Sequence, residues 1–175
     1  MPTWTRRLLG AGVLAALLAA HAACAALGAG AGGTADFTLR DVDGRQVRLS
    51  DHAGRDVVLI AFWATWCGPC AGELVQLERL YRAYRGQGLA VLAVAMDGPE
   101  SVAEVAPFAR RHGLTFPVLL DEDTRVAAVW NPRRSAPYSV LLARDGRIVR
   151  RKEGFAAGDE EALRGAIRAE VAARP

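Results

Sequence analysis

The sequence predicts one α/β domain, a mixed central sheet with helices packed on it, opened by an N-terminal β-hairpin. Residues 57–63 and 89–95 are unbroken apolar runs, which is typical of strands buried on both faces. Residues 74–84 carry apolar side chains at helical spacing. Asp-Gly pairs at 43–44 and 145–146 each separate two short strand-like segments, as in β-hairpins, and so add antiparallel strands.

The first 25 residues have the pattern of an export signal. Arg6 and Arg7 precede an apolar run that begins at Leu8, and small residues with Ala-x-Ala cleavage options follow. We expect residues 1–25 to be a signal peptide or a membrane anchor. Cleavage is favoured over retention, because the run is rich in Ala and Gly and only weakly hydrophobic, although its length approaches the ~20 residues of a membrane span.

Cys24 suggests lipidation as a further alternative, but His21 stands where known lipoprotein signals have Leu. Residues 26–35 are expected to be a Gly/Ala linker, and residues 36–175 the folded domain. About 140 residues suffice for one domain with a real core. The chain has 22 basic and 19 acidic residues, a formal charge of +3, so no nucleic-acid surface is predicted.

The elements of the domain follow from apolar stripes and runs bounded by turn residues. In chain order we expect a hairpin from 37–39 and 46–49, a strand at 57–63, a long helix whose first turn holds the cysteine pair, a strand at 89–95, a helix at about 101–111, an extended piece at 116–120, a helix at 124–130, a strand opened by Pro137, its hairpin partner at 148–152 and a helix capped by Asp159.

The motif Trp66-Cys67-Gly68-Pro69-Cys70 lies where the first apolar strand ends and the long helix begins. Residues i and i+3 of a helical turn are about 5–6 Å apart, and a disulfide needs Cα atoms about 5.5–6 Å apart, so Cys67 and Cys70 can form a disulfide. The N-terminus of a helix stabilises negative charge. We therefore expect Cys67 to be the thiolate nucleophile and Cys70, one turn deeper, to be the resolving thiol.

Two other interpretations of the cysteine pair are weaker. A zinc site needs two further ligands, and neither Cys24 nor the three histidines supply them at suitable spacing, so no metal is expected. An inert disulfide is disfavoured because a loop of four residues restricts the unfolded chain very little. Redox chemistry is the favoured interpretation, with the disulfide itself as the redox centre and no bound cofactor.

Residues 61–70 resemble the active site of the thioredoxin superfamily, and residues 36–171 are similar to its TlpA/ResA-like branch of exported thiol–disulfide oxidoreductases. The resemblance implies a thioredoxin-like three-layer sandwich, in which the helix at 124–130 belongs to an inserted segment. The apolar strand carries Ala61 where cytosolic thioredoxins have a buried proton-accepting Asp. Glu73 matches an active-site Glu of the branch and would accept the proton of Cys70. The alternative is an exposed glutamate near a helix N-terminus.

The resemblance also implies a substrate groove. Pro137 matches the cis-proline of the superfamily, which would turn the backbone of Ala136 towards an extended client segment. An ordinary trans proline at a sheet edge is the alternative. Trp66 would flank the nucleophile and offer an apolar docking surface.

The resemblance implies a protein-disulfide reductase in the periplasm or on the outer face of the cytoplasmic membrane, with a membrane tether as an alternative to cleavage. Its partners would be exported disulfide-containing clients, with apocytochromes c the implied example, and a membrane electron donor. A peroxiredoxin-like peroxidase is a second interpretation, although Thr65 stands two residues before Cys67 rather than three. A non-enzymatic binding module is a third.

Overall fold

A computed structural model describes residues 34–156 and 158–173, and it confirms the α/β fold. The strands are β1 (Thr38–Asp41), β2 (Gln46–Arg48), β3 (Val57–Trp63), β4 (Leu89–Ala95), β5 (Val118–Leu120), β6 (Tyr138–Leu142) and β7 (Ile148–Glu153). The helices are α1 (Cys70–Tyr84), α2 (Val105–Arg111), α3 (Arg125–Trp130) and α4 (Asp159–Ala172). Short 3₁₀ turns occupy Leu49–His52, Arg85–Gln87 and Val102–Glu104.

The seven strands form one mixed sheet in the order β2-β1-β5-β4-β3-β6-β7. Strands β3, β4 and β5 are parallel neighbours, and the remaining pairs are antiparallel. Every residue of β3 is buried, because alternate side chains enter cores on opposite faces. One core contains Leu59 with α1, α2 and α4, and the other contains Ile60 with α3 and the N-terminal hairpin. The result is the expected three-layer sandwich.

The inserted segment contributes a strand as well as a helix. Residues 118–120, expected only as part of an extended piece, form β5 between β4 and β1. Asp121 follows β5 at once and is fully buried, and its two carboxylate oxygens accept the N–H groups of Val126 and Ala127 at 3.1 and 2.8 Å. This side chain therefore satisfies amides in the first turn of α3.

Strand β2 and strand β7 are the outer strands of the sheet. The first has only three residues and joins β1 through a turn in which Oδ1 of Asp41 accepts the N–H groups of Asp43 and Arg45 at 2.9 and 2.8 Å. Gly44 of this turn has a φ of 82°, a conformation that glycine adopts without steric cost. Strand β7 carries the consecutive cations Arg150, Arg151 and Lys152.

Helix α4 differs in one detail from the expectation. Gly158, with a φ of 90°, is the N-cap residue, and Asp159 is the first helical residue rather than the cap. The Asp159 side chain instead bends back, and its Oδ2 accepts the N–H of Ala156 at 2.7 Å.

The expected signal or anchor (1–25), with Cys24, and all but the last two residues of the linker (26–35) lie outside the described residues. Within the residues that are described, no helix combines the length and apolarity that crossing a bilayer requires.

Candidate active site

Cys67 and Cys70 form a disulfide with an S–S distance of 2.02 Å and a Cα–Cα distance of 5.4 Å. Helix α1 begins at Cys70 with Pro69 as its N-cap, so Cys67 lies in the preceding turn rather than within the helix as expected. The N–H of Cys70 donates to the carbonyl of Cys67 at 3.2 Å and closes that turn. Cys67 is 6% exposed and Cys70 is completely buried.

This arrangement gives the two sulfurs different access. The N-terminal end of α1, a helix of 15 residues, favours negative charge in the turn where Cys67 lies. Cys67 is the sulfur nearer the surface, and the next side chain towards the N-terminus, Trp66, is 63% exposed. An incoming group therefore meets Cys67 first, and Cys70 is reached only from within the site.

The turn before Cys67 is fixed by Asp97, a buried residue two positions after the end of β4. Its carboxylate accepts the backbone N–H of Thr65 at 3.0 Å and also the Thr65 hydroxyl. Asp97 is not among the site residues expected from the sequence. It could have been found from its position, because it lies just past the carboxyl end of a central parallel strand, where the functional sites of open α/β sheets occur.

The loop before Pro137 is fixed by Asn131, a second buried residue that is not among those expected from the sequence. Its Nδ2 donates to the carbonyl of Ser135 at 2.7 Å, and its Oδ1 accepts the N–H of Ser135 at 3.2 Å. The same Nδ2 lies 3.7 Å from Sδ of Met96, whose own N–H donates to the carbonyl of Trp63 at 2.8 Å. Asn131 therefore links the loop before Pro137, through Met96, to the end of β3, where the turn that carries Cys67 begins.

The peptide bond between Ala136 and Pro137 is cis. Strands β3 and β6 pair with Phe62 opposite Tyr138, so the chain after β3 and the chain before β6 leave the sheet at the same end. Pro137 is buried and Ala136 is half-buried against the core that contains both cysteines. The structure thus brings Trp66, Cys67, Cys70, Ala136 and Pro137 to one end of the sheet.

Glu73 lies one helical turn after Cys70 and is only 4% exposed, so the alternative expectation of an exposed glutamate is wrong. Its Oε2 has no hydrogen-bond partner among the described residues. The pKa of Glu73 is raised from 4.5 to about 7, chiefly by burial; the negative charge of Asp159 contributes to the rise, and Lys152 opposes it. A buried carboxyl group with this pKa can exchange a proton near neutral pH.

Within the described parts of the chain, no cluster of three or more His, Cys, Asp or Glu side chains has the arrangement of a metal site. Ala61 of β3 is fully buried and has no side-chain carboxyl group. The buried carboxyl group near the cysteines is instead that of Glu73, one helical turn after Cys70. The disulfide is the redox-active group present in the site.

The AhpC/TSA family matches residues 32–151 of this chain. The chain is also similar to the thiol-disulfide oxidoreductase ResA of Geobacillus kaustophilus, with 39% identity over 113 residues, which are 65% of this chain and 63% of that protein. The chain therefore spans slightly less than two thirds of the length of the curated relatives that it matches.

Two solved structures have the same fold. A Chlorobium tepidum protein provisionally assigned as thiol:disulfide interchange protein DsbE superposes with a TM-score of 0.73 and 30% identity, covering 81% of this chain and 96% of that one. StoA from Bacillus subtilis superposes with a TM-score of 0.63 and 26% identity, covering 75% and 96% of the two chains. These findings confirm the resemblance to thioredoxin-like thiol–disulfide oxidoreductases.

Proposed function

The chain belongs to the AhpC/TSA family, and we propose that it is a thiol–disulfide oxidoreductase that reduces disulfides in other proteins. The observation that carries this proposal is the Cys67–Cys70 disulfide, with one sulfur near the surface and the other buried one turn before a buried carboxyl group. The similarity to ResA supports the same chemistry.

The reaction starts from the reduced pair. The Cys67 thiolate attacks one sulfur of the client disulfide, so that a bond forms between Cys67 and that sulfur while the client S–S bond breaks. The second client sulfur leaves as a thiolate and takes a proton. Cys70 then attacks the sulfur of Cys67, closes the intramolecular disulfide and releases the first client thiol. Two electrons pass from the cysteine pair to the client.

Glu73 is the proton acceptor in the second step. Cys70 attacks only as a thiolate, and its thiol is completely buried, so its proton needs a nearby base. The Glu73 carboxylate follows on the next turn of α1, and its Oε2 is unpaired within the described structure. The pKa of about 7 allows Glu73 to take the proton and to release it again near neutral pH.

Client binding is assigned to Trp66, Ala136 and Pro137. The exposed indole of Trp66 offers apolar contact beside Cys67. The backbone of Ala136 is at the same end of the sheet, where an extended client segment can pair with it in the manner of an added strand.

The direction of the reaction is assigned as reductive, with exported proteins as clients and apocytochromes c as the example implied by the family resemblance. In an oxidising compartment the spent disulfide must be reduced again, so we assign the electrons to a membrane carrier. The location proposed is the periplasm or the outer face of the cytoplasmic membrane. No cofactor beyond the disulfide is required.

Thr65 gives no support to peroxidase activity. Its hydroxyl proton is donated to Asp97 and stabilises the turn before Cys67, so that proton does not serve as a donor to a bound peroxide.

Trapping of mixed disulfides tests the proposal. A Cys70→Ser variant should accumulate disulfides between Cys67 and its clients, while a Cys67→Ser variant should accumulate none, because only Cys67 makes the first attack. Both variants should lose reduction of a model protein disulfide such as insulin. Full reductase activity in Cys67→Ser, or equal trapping by both variants, would exclude the mechanism.

A further inference from the structure

Glu73 borders a small cavity between α1, β6, β7 and α4. The cavity of about 20 Å³ has room for about one water molecule. Its lining includes Glu73 and Leu77 of α1, Ser139 of β6, Lys152 of β7, and Phe155 and Asp159 at the start of α4. Glu73, the proposed acceptor of the Cys70 proton, therefore lines the same cavity as side chains that are distant in sequence.

Two oppositely charged side chains of this cavity form an ion pair. Nζ of Lys152 lies 3.2 Å from Oδ2 of Asp159, and the two side chains are 32% and 23% exposed, so the pair is partly shielded from solvent. The same Oδ2 accepts the N–H of Ala156 at 2.7 Å, which fixes Asp159 in place. The pair is thus held in a defined position beside Glu73.

The other charged side chains facing the cavity are Arg150 of β7 and Glu160 of α4. Glu160 pairs with Arg164 on its own helix, so its charge is largely offset. The side chains that α1 and β6 add around Glu73 are uncharged, with Gln76 and Ser139 as the polar ones. The charges that act on Glu73 are those of Asp159 and Lys152, whereas Arg150 acts on the carboxyl group of Asp159.

The effects of these two charges on Glu73 have opposite signs. Asp159 disfavours the carboxylate and raises the pKa of Glu73, whereas Lys152 favours the carboxylate and lowers it. While the pair is intact the two effects partly cancel, and burial remains the main cause of the raised pKa. Removal of either charge leaves the other one uncompensated next to a poorly solvated group.

We propose that Lys152 and Asp159 are positioning residues for the redox reaction: the balance of their two charges sets when Glu73 accepts the proton of Cys70, and so sets the pH dependence of disulfide exchange. This inference rests on the proposed function, since it takes Glu73 as the acceptor for Cys70. Neither residue touches the reacting sulfurs, and each acts only through the carboxyl group of Glu73.

The experiment compares Lys152→Met, Asp159→Asn and the double variant in the full chain. Each change keeps the size of the side chain, and Asn retains an oxygen that can accept the Ala156 N–H. Two readouts are taken: the Glu73 carboxyl titration, followed by ¹³C NMR in the oxidised protein, and the pH–rate profile of insulin reduction. Matched controls are Arg151→Met on the same strand and Glu161→Gln on the first turn of the same helix, both exposed.

Lys152→Met should move the Glu73 titration up by about 0.5 pH unit or more, and Asp159→Asn should move it down by a similar amount. The double variant should return towards the wild-type value, and both controls should match the wild type. The pH–rate profile should move in the same direction as the titration in each variant. Opposite movement of the two single variants is the signature that mere loss of packing would not produce.

Two outcomes would overturn the inference, and they differ in what they say about the proposed function. If the Glu73 titration stays fixed in both variants, or moves the same way in both, the ion pair does not control Glu73, while the cysteine mechanism stands. If the titration moves as expected and the pH–rate profile does not follow, Glu73 is not the acceptor for Cys70, and the failure belongs to the proposed mechanism.

Discussion

The carboxylate of Asp97 accepts both the backbone N–H and the side-chain hydroxyl of Thr65, across 32 residues of sequence. These two bonds join the end of β4 to the turn that carries Cys67, and so define where the reactive sulfur sits relative to the sheet. Asp97 is almost completely buried, so water cannot replace either bond at low cost.

Asp97→Asn should destabilise the protein and slow its reaction with protein disulfides. The amide removes the negative charge that strengthens both bonds, and its NH₂ group cannot accept the Thr65 hydroxyl proton, so we expect a cost of about 1–3 kcal/mol. Urea unfolding and insulin reduction would measure the two effects. Asp123→Asn is the control, because Asp123 is exposed. Equal behaviour of the two variants would show that the Thr65–Asp97 contact does not fix the turn.

Glu73 should make the oxidised protein less stable as the pH rises from about 4.5 to about 7. The pKa of Glu73 is raised from 4.5 to about 7, chiefly by burial, so in this range the folded chain keeps a proton that the unfolded chain has released. The free energy of unfolding therefore falls with rising pH, by up to about 3 kcal/mol, and stays lower above pH 7.

Glu73→Gln removes the ionisation, so its unfolding free energy should resemble that of the wild type at pH 4 and exceed it at pH 8. Urea unfolding of the oxidised proteins across this range would measure the difference. Glu161→Gln, at an exposed position, should follow the wild-type curve. Parallel curves for wild type and Glu73→Gln would contradict the raised pKa.

Trp66→Ser should weaken the binding of protein clients without changing reactivity towards a small disulfide. The indole is 63% exposed beside Cys67, and its loss removes apolar contact area that only a large partner uses. We expect KM for a protein disulfide to rise several-fold, and the rate of reduction of a small linear disulfide such as hydroxyethyl disulfide to stay constant.

Val129→Ser is the matched control for that experiment, because Val129 is exposed to the same degree but lies on α3, away from the cysteine turn. A similar rise of KM in both variants would assign the effect to general surface hydrophobicity rather than to docking at Trp66.

Arg144 should contribute to stability through the end of α4. Its guanidinium donates to the carbonyls of Glu170 and Val171 in the last turn of that helix and to the carbonyl of the C-cap residue Ala173. It also donates to the carbonyls of Arg55 and Gln87. Arg144→Met should lower the unfolding free energy by about 1.5–3 kcal/mol, since several charged hydrogen bonds are lost.

Arg144→Lys should restore only part of that stability, because an ammonium group cannot reproduce the planar fork of donors. Arg45→Met is the control, since both side chains of the Arg45–Asp43 ion pair are exposed. Thermal or urea unfolding measures all three variants. A fully stable Arg144→Lys protein would mean that the charge alone, without the donor geometry, holds the helix end.

Local pattern explains which parts of the fold and the site were predictable. Strand β3 is an unbroken apolar run and helix α1 has apolar side chains at helical spacing, so both could be predicted. The position of the cysteine motif followed, because it lies between these two elements. Strand β5 has three residues, too few for any period, and its role depends on pairing with both β1 and β4. The start of α1 was placed too early, because Pro69 occupies the N-cap position.

The missed site residues depend on contacts that are distant in sequence. Asp97 and Asn131 are single polar residues in loops, and their importance follows only from burial beside the cysteine and proline loops. Likewise, no spacing rule connects Glu73 with Asp159, which are brought together by the packing of α4 on α1. The position of Glu73 one helical turn after Cys70 could be expected because that spacing is local, whereas its role as proton acceptor is what the family resemblance implies.

The two outer strands affect how this chain behaves next to unfolded proteins. An open strand edge is a template on which another polypeptide can add backbone hydrogen bonds and start a fibre. Strand β2 is too short to serve as one, and three consecutive cations on β7 repel a further strand laid alongside it. The sheet can therefore come into contact with partly folded chains at its catalytic end while resisting co-aggregation along its sides.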